Sequence, residues 1–375
     1  MTDGTPDPDA DPAELEELDL YDPDAPDAVD RLALLRLALR FGATVDEMRV
    51  AIEEKRLHAV APERVLAGGT ERLKLDEAIA RAGIDPALGH RVWRTLGFVE
   101  PTADALVCSE RDVDVFELVD VASGVFGLEA TLALLRTAGS TMARLADAAV
   151  SSARSVLEAP IRSEGGTGAE IAQTFVDVAH SVVPRLYPML ETVHRHHMVG
   201  AGRRYTAWGV APTPQQTSDA VVGFADLVGY TSLTQDIAPE ELEMLVAGFE
   251  ERALAATARP GARLVKTIGD EAMFVAGGAL AAVDIAQALI DDPGLPPLRV
   301  GLAAGEIVTR EGDVFGAVVN RAARLESLAE PDQILCDAET ERRLDGDGGA
   351  AVSLGTRVLP GFDEPLEVFA LPARS

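Results

Sequence analysis

The hydrophobic period of the chain changes once, across residues 209–218, and that change calls for two differently built domains. Upstream, apolar residues recur at helical spacing, as in Leu32, Leu34, Leu35, Leu37 and Leu39, with breaks at Gly42, Gly68, Gly69, Gly83 and Gly97. Downstream, short β-type runs at 220–225, 263–268, 272–276 and 298–304 alternate with helical segments at 239–257 and 280–290. That β-α-β-β-α-β order predicts a ferredoxin-like sheet of antiparallel strands backed by helices, with further strands at 333–336, 357–359 and 366–370. The expected fold class is α+β: a disordered acidic tail over 1–28, a mostly helical domain over 29–204, a linker over 205–218 and a ferredoxin-like domain over 219–375.

Composition narrows the function. The formal charge of −29 works against broad attraction to nucleic acid or to an anionic membrane. Residues 1–28 contain no Lys or Arg, so part of that charge is expected to lie outside the folded domains. Cys108 and Cys336 are the only cysteines, without metal-ligand spacing, which speaks against a disulfide framework or structural zinc and fits a reducing cytoplasm. No apolar stretch is long enough to span a bilayer, and the acidic N-terminus is unlike a signal peptide, so a chain neither secreted nor membrane-spanning is expected.

The chemistry concentrates downstream of the linker. Val221-Val222-Gly223-Phe224-Ala225-Asp226 is an apolar run ending in a carboxylate, and Leu227-Val228-Gly229-Tyr230-Thr231 then turns toward a helix, where backbone N–H groups can hold phosphate. Lys266-Thr267-Ile268-Gly269-Asp270 supplies a second carboxylate at a tight turn. If the first two strands lie side by side, Asp226 and Asp270 converge without His or Cys, a donor set suited to two Mg2+ or Mn2+ ions. Either aspartate alone reads as readily as a turn or cap residue. Further on, Asp313-Val314-Phe315-Gly316 leads into a helix on which Asn320 and Arg324, four apart, share a face; a surface helix is the plain alternative.

Taken together, these segments resemble the class III nucleotidyl cyclase catalytic domain, from about Asp219 to the C-terminus. The resemblance implies that Asp226 and Asp270 bind metal, that Lys266 and Asp313 select adenine, and that Asn320 and Arg324 orient the ribose and stabilise the transition state. It also implies a homodimer that shares its active sites, ATP as substrate, and 3',5'-cyclic AMP with pyrophosphate as products. Lys as donor and Asp as acceptor match the adenine edge, whereas guanine presents the reverse. The family's triphosphate-gripping Arg is expected at Arg310. A catalytically silent nucleotide sensor is the competing reading of the same domain.

All six histidines precede the catalytic domain, and His194, His196 and His197 flank Arg195 just before the linker, a candidate pH-sensitive transmitter. The helical half is apolar enough to hold a lipid-like ligand. Residues 73–98 resemble a helix-turn-helix with glycine at the turn, although His90, Arg91 and Arg94 are a thin cationic supply for DNA.

Overall fold

The computed structural model describes residues 6–68, 72–208, 217–230, 237–344, 351–362 and 364–372. The chain divides into two compact units, Met1–Val193 and His194–Ser375. Among the described residues no helix is long and apolar enough to cross a membrane.

The first unit is helical: α1 (Pro12–Glu17), α2 (Ala28–Arg40), α3 (Val45–Glu53), α4 (Leu57–Leu66), α5 (Leu75–Ala82), α6 (Pro86–Thr95), α7 (Glu110–Phe126), α8 (Leu128–Ala153), α9 (Ala159–Ser163) and α10 (Gly168–Ser181). Two short strands, β1 (Leu73–Lys74) and β2 (Leu106–Cys108), pair antiparallel. Local signals explain the helix starts: Thr44 and Thr167 each form a reciprocal capping box with the glutamate three residues on. At α6, Asp85 accepts from the Leu88 amide while Pro86 occupies the first turn.

The acidic stretch expected to be disordered is in fact anchored. Asp11 caps α1, and Ala10, Leu15 and Leu20 are buried in the core built by α2, α3 and α4. Three well-spaced apolar side chains outweigh the surrounding charge because the carboxylates remain at the surface. A second core gathers Leu75, Ile79, Val92, Trp93, Phe116 and Leu132.

A long helix, α11 (Val183–Ala207), runs across the boundary between the units and into the segment expected to be linker. Trp208 follows it, buried, with its indole N–H donating to the Gly261 carbonyl at 2.7 Å. Residues 209–216 of the expected linker lie outside the described residues.

The second unit continues with β3 (Thr217–Leu227), α12 (Pro239–Thr257), β4 (Ala262–Ile268), β5 (Glu271–Ala276), α13 (Ala279–Ile290), β6 (Leu298–Arg310), β7 (Asp313–Phe315), α14 (Ala317–Leu328), β8 (Gln333–Asp337), α15 (Ala338–Leu344), β9 (Val352–Arg357) and β10 (Leu366–Leu371). The sheet order is β4-β5-β3-β6-β8-β10-β9, antiparallel throughout except between β6 and β8. Its first four strands carry the ferredoxin-like order.

One expectation is corrected: β3 and β4 are not neighbours, because β5 lies between them. Both faces of β3 are covered, so its side chains alternate between two cores. Val221, Ala225 and Leu227 join Phe249, Val283 and Leu289 on one face. Ala220, Val222 and Phe224 face Trp208, Val318 and Leu325 on the other. Helix α14 lies hard against β6 at Gly301, where a Cβ would stand 2.2 Å from the Ala322 carbonyl oxygen and from the Glu326 nitrogen.

Candidate active site

The sheet brings the two predicted carboxylates together by a route different from the expected one. Asp226 ends β3 opposite Glu271 of β5, and Asp270 occupies the β4–β5 turn that Gly269 makes with φ +65°. The turn is stitched to β3 by the Leu227 amide, which donates to the Asp270 carbonyl at 3.1 Å. By strand alternation Asp226 projects on the α14 face, where Glu326 is buried. Burial, then the charges of Glu326 and Asp270, a hydrogen bond with the Asp270 side chain and the charge of Glu271 push Asp226 up to about 7. Glu271 and Glu326 are themselves raised, each chiefly by burial.

Among the described residues no group of three or more His, Cys, Asp or Glu is arranged as a metal-ligand set. The Asp226–Asp270 pair still fits a hard divalent cation. Mg2+ characteristically takes one or two protein carboxylates and completes its shell with water and substrate phosphate. The surplus negative charge that holds a proton on Asp226 is also what such a cation would relieve.

The expected phosphate-binding turn is partly committed elsewhere. The Leu227 amide is taken by Asp270, and the Val228 amide donates to the Pro297 carbonyl at 2.9 Å, so neither is there to bind phosphate. Gly229 turns the chain with φ +82°, Tyr230 packs partly buried against the core, and Thr231 lies outside the described residues.

The pair expected to select adenine is preassembled. Lys266 Nζ contacts Asp313 Oδ2 at 2.6 Å, joining β4 to β7. The β6–β7 hairpin turns through Glu311 and Gly312, both with positive φ, which places Asp313 at the start of β7 opposite Arg310. Asp313 Oδ1 also accepts from the Val314 amide at 2.8 Å. Burial pulls the Asp313 carboxyl up, but the Lys266 and Val314 hydrogen bonds and the Lys266 and Arg263 charges outweigh it, leaving the group below its ordinary value.

Asn320 and Arg324 are exposed on α14, and among the described residues neither has a hydrogen-bond or ion-pair partner. Arg310 stands at the end of β6 with its side chain 74% exposed, 3.5 Å from Glu311. His194, His196 and His197 are all exposed on α11.

Sequence reasoning did not find Glu271, Glu326 or the role of Arg321. Glu271 was legible as the acid directly after Asp270, whereas Glu326 is recognisable only once α14 is packed. Arg321 Nε lies 2.7 Å from Asp337 Oδ2, off the hydrogen-bond direction, and its Nη2 donates to the Ala304 carbonyl at 3.0 Å. It ties α14 to β6 and β8.

In the helical unit, α5 and α6 do form a helix-turn-helix, with Gly83 left-handed at the turn. Its cations are spent on carboxylates: His90 lies between Asp76 and Glu100, Arg91 pairs with Glu129 and Arg94 with Glu100. That arrangement packs helices and leaves little for a phosphate backbone. The expected lipid-like ligand also lacks support. A cavity of about 600 Å³ in this unit is lined by Asp147, Arg154, Glu158 and Arg162 among others, and Glu158 is bonded to both arginines.

The ferredoxin-like core, the two converging aspartates and the Lys266–Asp313 pair define a nucleotidyl cyclase catalytic domain. Residues 294–371 match the adenylate and guanylate cyclase catalytic domain, and residues 11–199 match the adenylate cyclase regulatory domain. The chain is 34% identical over 354 residues to an uncharacterized protein of Mycobacterium tuberculosis, covering 91% of this chain and 90% of that one. It is 35% identical over 287 residues to an adenylate cyclase of Streptomyces coelicolor, covering 74% of this chain and 73% of the relative. A pH-sensitive adenylate cyclase of M. tuberculosis is 30% identical over 357 residues, covering 91% and 86%. The chain belongs to the adenylate cyclases that join an N-terminal regulatory domain to a catalytic domain.

Proposed function

We propose that this chain converts ATP to 3',5'-cyclic AMP and pyrophosphate at sites shared by a homodimer. The observation that carries the reading is the Lys266–Asp313 pair, set on the same sheet as the converging Asp226 and Asp270. Lys266 donates to adenine N1 and Asp313 accepts from the exocyclic amine. Asn320 orients the ribose, and Arg324 offsets charge on the transferring phosphoryl group. As the ribose 3'-oxygen attacks the α-phosphorus its proton passes to solvent, the bond to the bridging oxygen breaks, and pyrophosphate leaves with that electron pair. Asp226 and Asp270 would hold two Mg2+ or Mn2+ ions, which would lower the pKa of the 3'-hydroxyl and neutralise charge at the α-phosphate.

Asn320 and Arg324, exposed and without a partner among the described residues, support the dimer: Asp226 and Asp270 of one chain work with Lys266, Asp313, Asn320 and Arg324 of the other, giving two equivalent sites. The domain division proposed is a regulatory half before the 205–218 segment and a catalytic half after it. Formation of cyclic AMP from ATP, with GTP in parallel, tests the reading. Lys266→Ala is expected to lower kcat/KM for ATP about tenfold or more and to narrow the preference over GTP. An unchanged ATP/GTP ratio would remove the pair from base selection.

pH sensing is assigned to His194, His196 and His197. Protonation adds positive charge to an exposed stretch of α11 already carrying Arg195, and the cost falls on whichever arrangement crowds those charges. Replacing all three with Gln is expected to flatten the acidic limb of the pH–activity profile. A profile that superimposes on wild type rules this out.

A further inference from the structure

A cavity of about 150 Å³ lies within the second unit, lined by Arg204, Tyr205 and Trp208 from the end of α11 and by Arg263, Thr309 and Gly312 from the sheet. Arg263 shares the Trp208 face of the sheet with Lys266 because a bulge follows Leu264: Arg263 stands opposite Val275 and Lys266 opposite Met273, both in that core. Thr309 reaches the same face of β6 as Ala303 and Ile307.

Three features of this cavity are unmet by the protein. Arg204 and Arg263 face it together, and among the described residues neither has a carboxylate at ion-pair distance. Arg263 Nη1 donates only to the Gly312 carbonyl, at 2.7 Å, and the nearby Asp313 is engaged by Lys266. Thr309 is 5% exposed, and among the described residues its hydroxyl has no hydrogen-bond partner. The chain carries 62 acidic against 33 basic residues, so two set-in arginines with no carboxylate at ion-pair distance among the described residues are unexpected in it. Burial, then the charge of Arg204, lowers the Arg263 pKa against the opposing pull of Tyr205 and Asp313.

We propose that this cavity binds one small phosphate-class oxyanion, gripped by Arg204 and Arg263 with the Thr309 hydroxyl donating to it. An oxyanion supplies the missing negative charge, an acceptor for the hydroxyl and the planar fork partner that guanidinium groups favour. The volume lies below the roughly 300 Å³ at which drug-sized pockets begin, which favours a small anion over a nucleotide. Orthophosphate and pyrophosphate share the required chemistry, and pyrophosphate is the inorganic product of the proposed reaction. The bound anion bridges the last turns of α11 to β4 and competes for the Arg263 donor now on Gly312, the residue before Asp313. It thereby bears on the hairpin that carries the adenine-selecting acid without entering the nucleotide site.

Calorimetric titration of the full chain with orthophosphate and, separately, pyrophosphate, in EDTA and at ionic strength matched with chloride, tests the site. One anion per chain is expected, weakened on the order of tenfold by Arg204→Gln and several-fold by Thr309→Val, with Arg324→Ala binding as wild type. Tighter binding of pyrophosphate identifies the product as the ligand, and tighter binding of orthophosphate identifies the free ion. Thr309→Val is near-isosteric, so retained cyclase activity in phosphate-free buffer separates lost binding from lost folding. Binding that survives both cavity variants, or that disappears in Arg324→Ala alone, or that chloride reproduces, overturns the site.

Discussion

Asp270→Ala is expected to lower cyclic AMP formation by about 10³-fold at saturating ATP and Mn2+, because one of the two carboxylates proposed to hold the cation would be gone. Asp226→Asn should fall comparably, with the sheet intact. The aspartates differ in what they do to stability. Asp226 is held protonated up to about 7 in the folded chain, well above its unfolded value. Between roughly pH 4 and 7 the native state therefore binds the additional proton, and stability falls as pH rises through that window. In EDTA, the urea midpoint of wild type should decline across it, while Asp226→Asn should decline less. Adding Mn2+ should restore the wild-type midpoint at pH 8 and leave Asp226→Asn largely unmoved. A variant that loses activity yet keeps the wild-type response to Mn2+ would show that the carboxylate does not hold the cation.

Arg321→Met is expected to destabilise the catalytic unit by about 3 kcal/mol, the low end for removing one partner of a buried ion pair. The low end applies because Asp337 is well served at Oδ1, which accepts from the Thr340 amide at 2.8 Å, the Thr340 hydroxyl at 2.5 Å and the Ala304 amide at 3.3 Å. Oδ2 relies on Arg321, and the Asp337 side chain is only 6% exposed. A fall of roughly 6–12 °C in the unfolding midpoint follows for a unit of this size. Pairing the change with Asp337→Asn should recover part of the loss, since the stranded charge is then gone. Additive losses would mean that the two residues do not interact.

Much of the catalytic half was readable because its signals are local. Glycine turns, period-two apolar runs and carboxylates at strand ends sit within a few residues of one another, so residues 263–268, 272–276 and 298–304 were recognisable as strands. What escaped depends on distant partners. The insertion of β5 between β3 and β4 is a pairing choice that no single segment states. Glu311 adopts a left-handed turn normally given to Gly or Asn, which concealed the hairpin before β7. Asp337 lies sixteen residues beyond Arg321, and only the packing of α14 on the sheet joins them. The last strands were misjudged at one point: a strand expected at 357–359 lies at Val352–Arg357, fixed by pairing with β10. The acidic N-terminal segment was misread because average composition hid Leu15 and Leu20, whose burial decides its fate.

The closeness of α14 to β6 at Gly301 has a bearing on mutational tolerance. A methyl group there would meet the Ala322 carbonyl and the Glu326 nitrogen and push the whole helix outward, taking Asn320 and Arg324 with it. In the dimer proposed above, the reach of these two side chains toward the partner chain would thus be governed by one hydrogen atom buried beneath them. A saturation screen confined to nucleotide-lining residues would miss it, and a lineage drifting at Gly301 would lose catalytic geometry while keeping every residue of its active site.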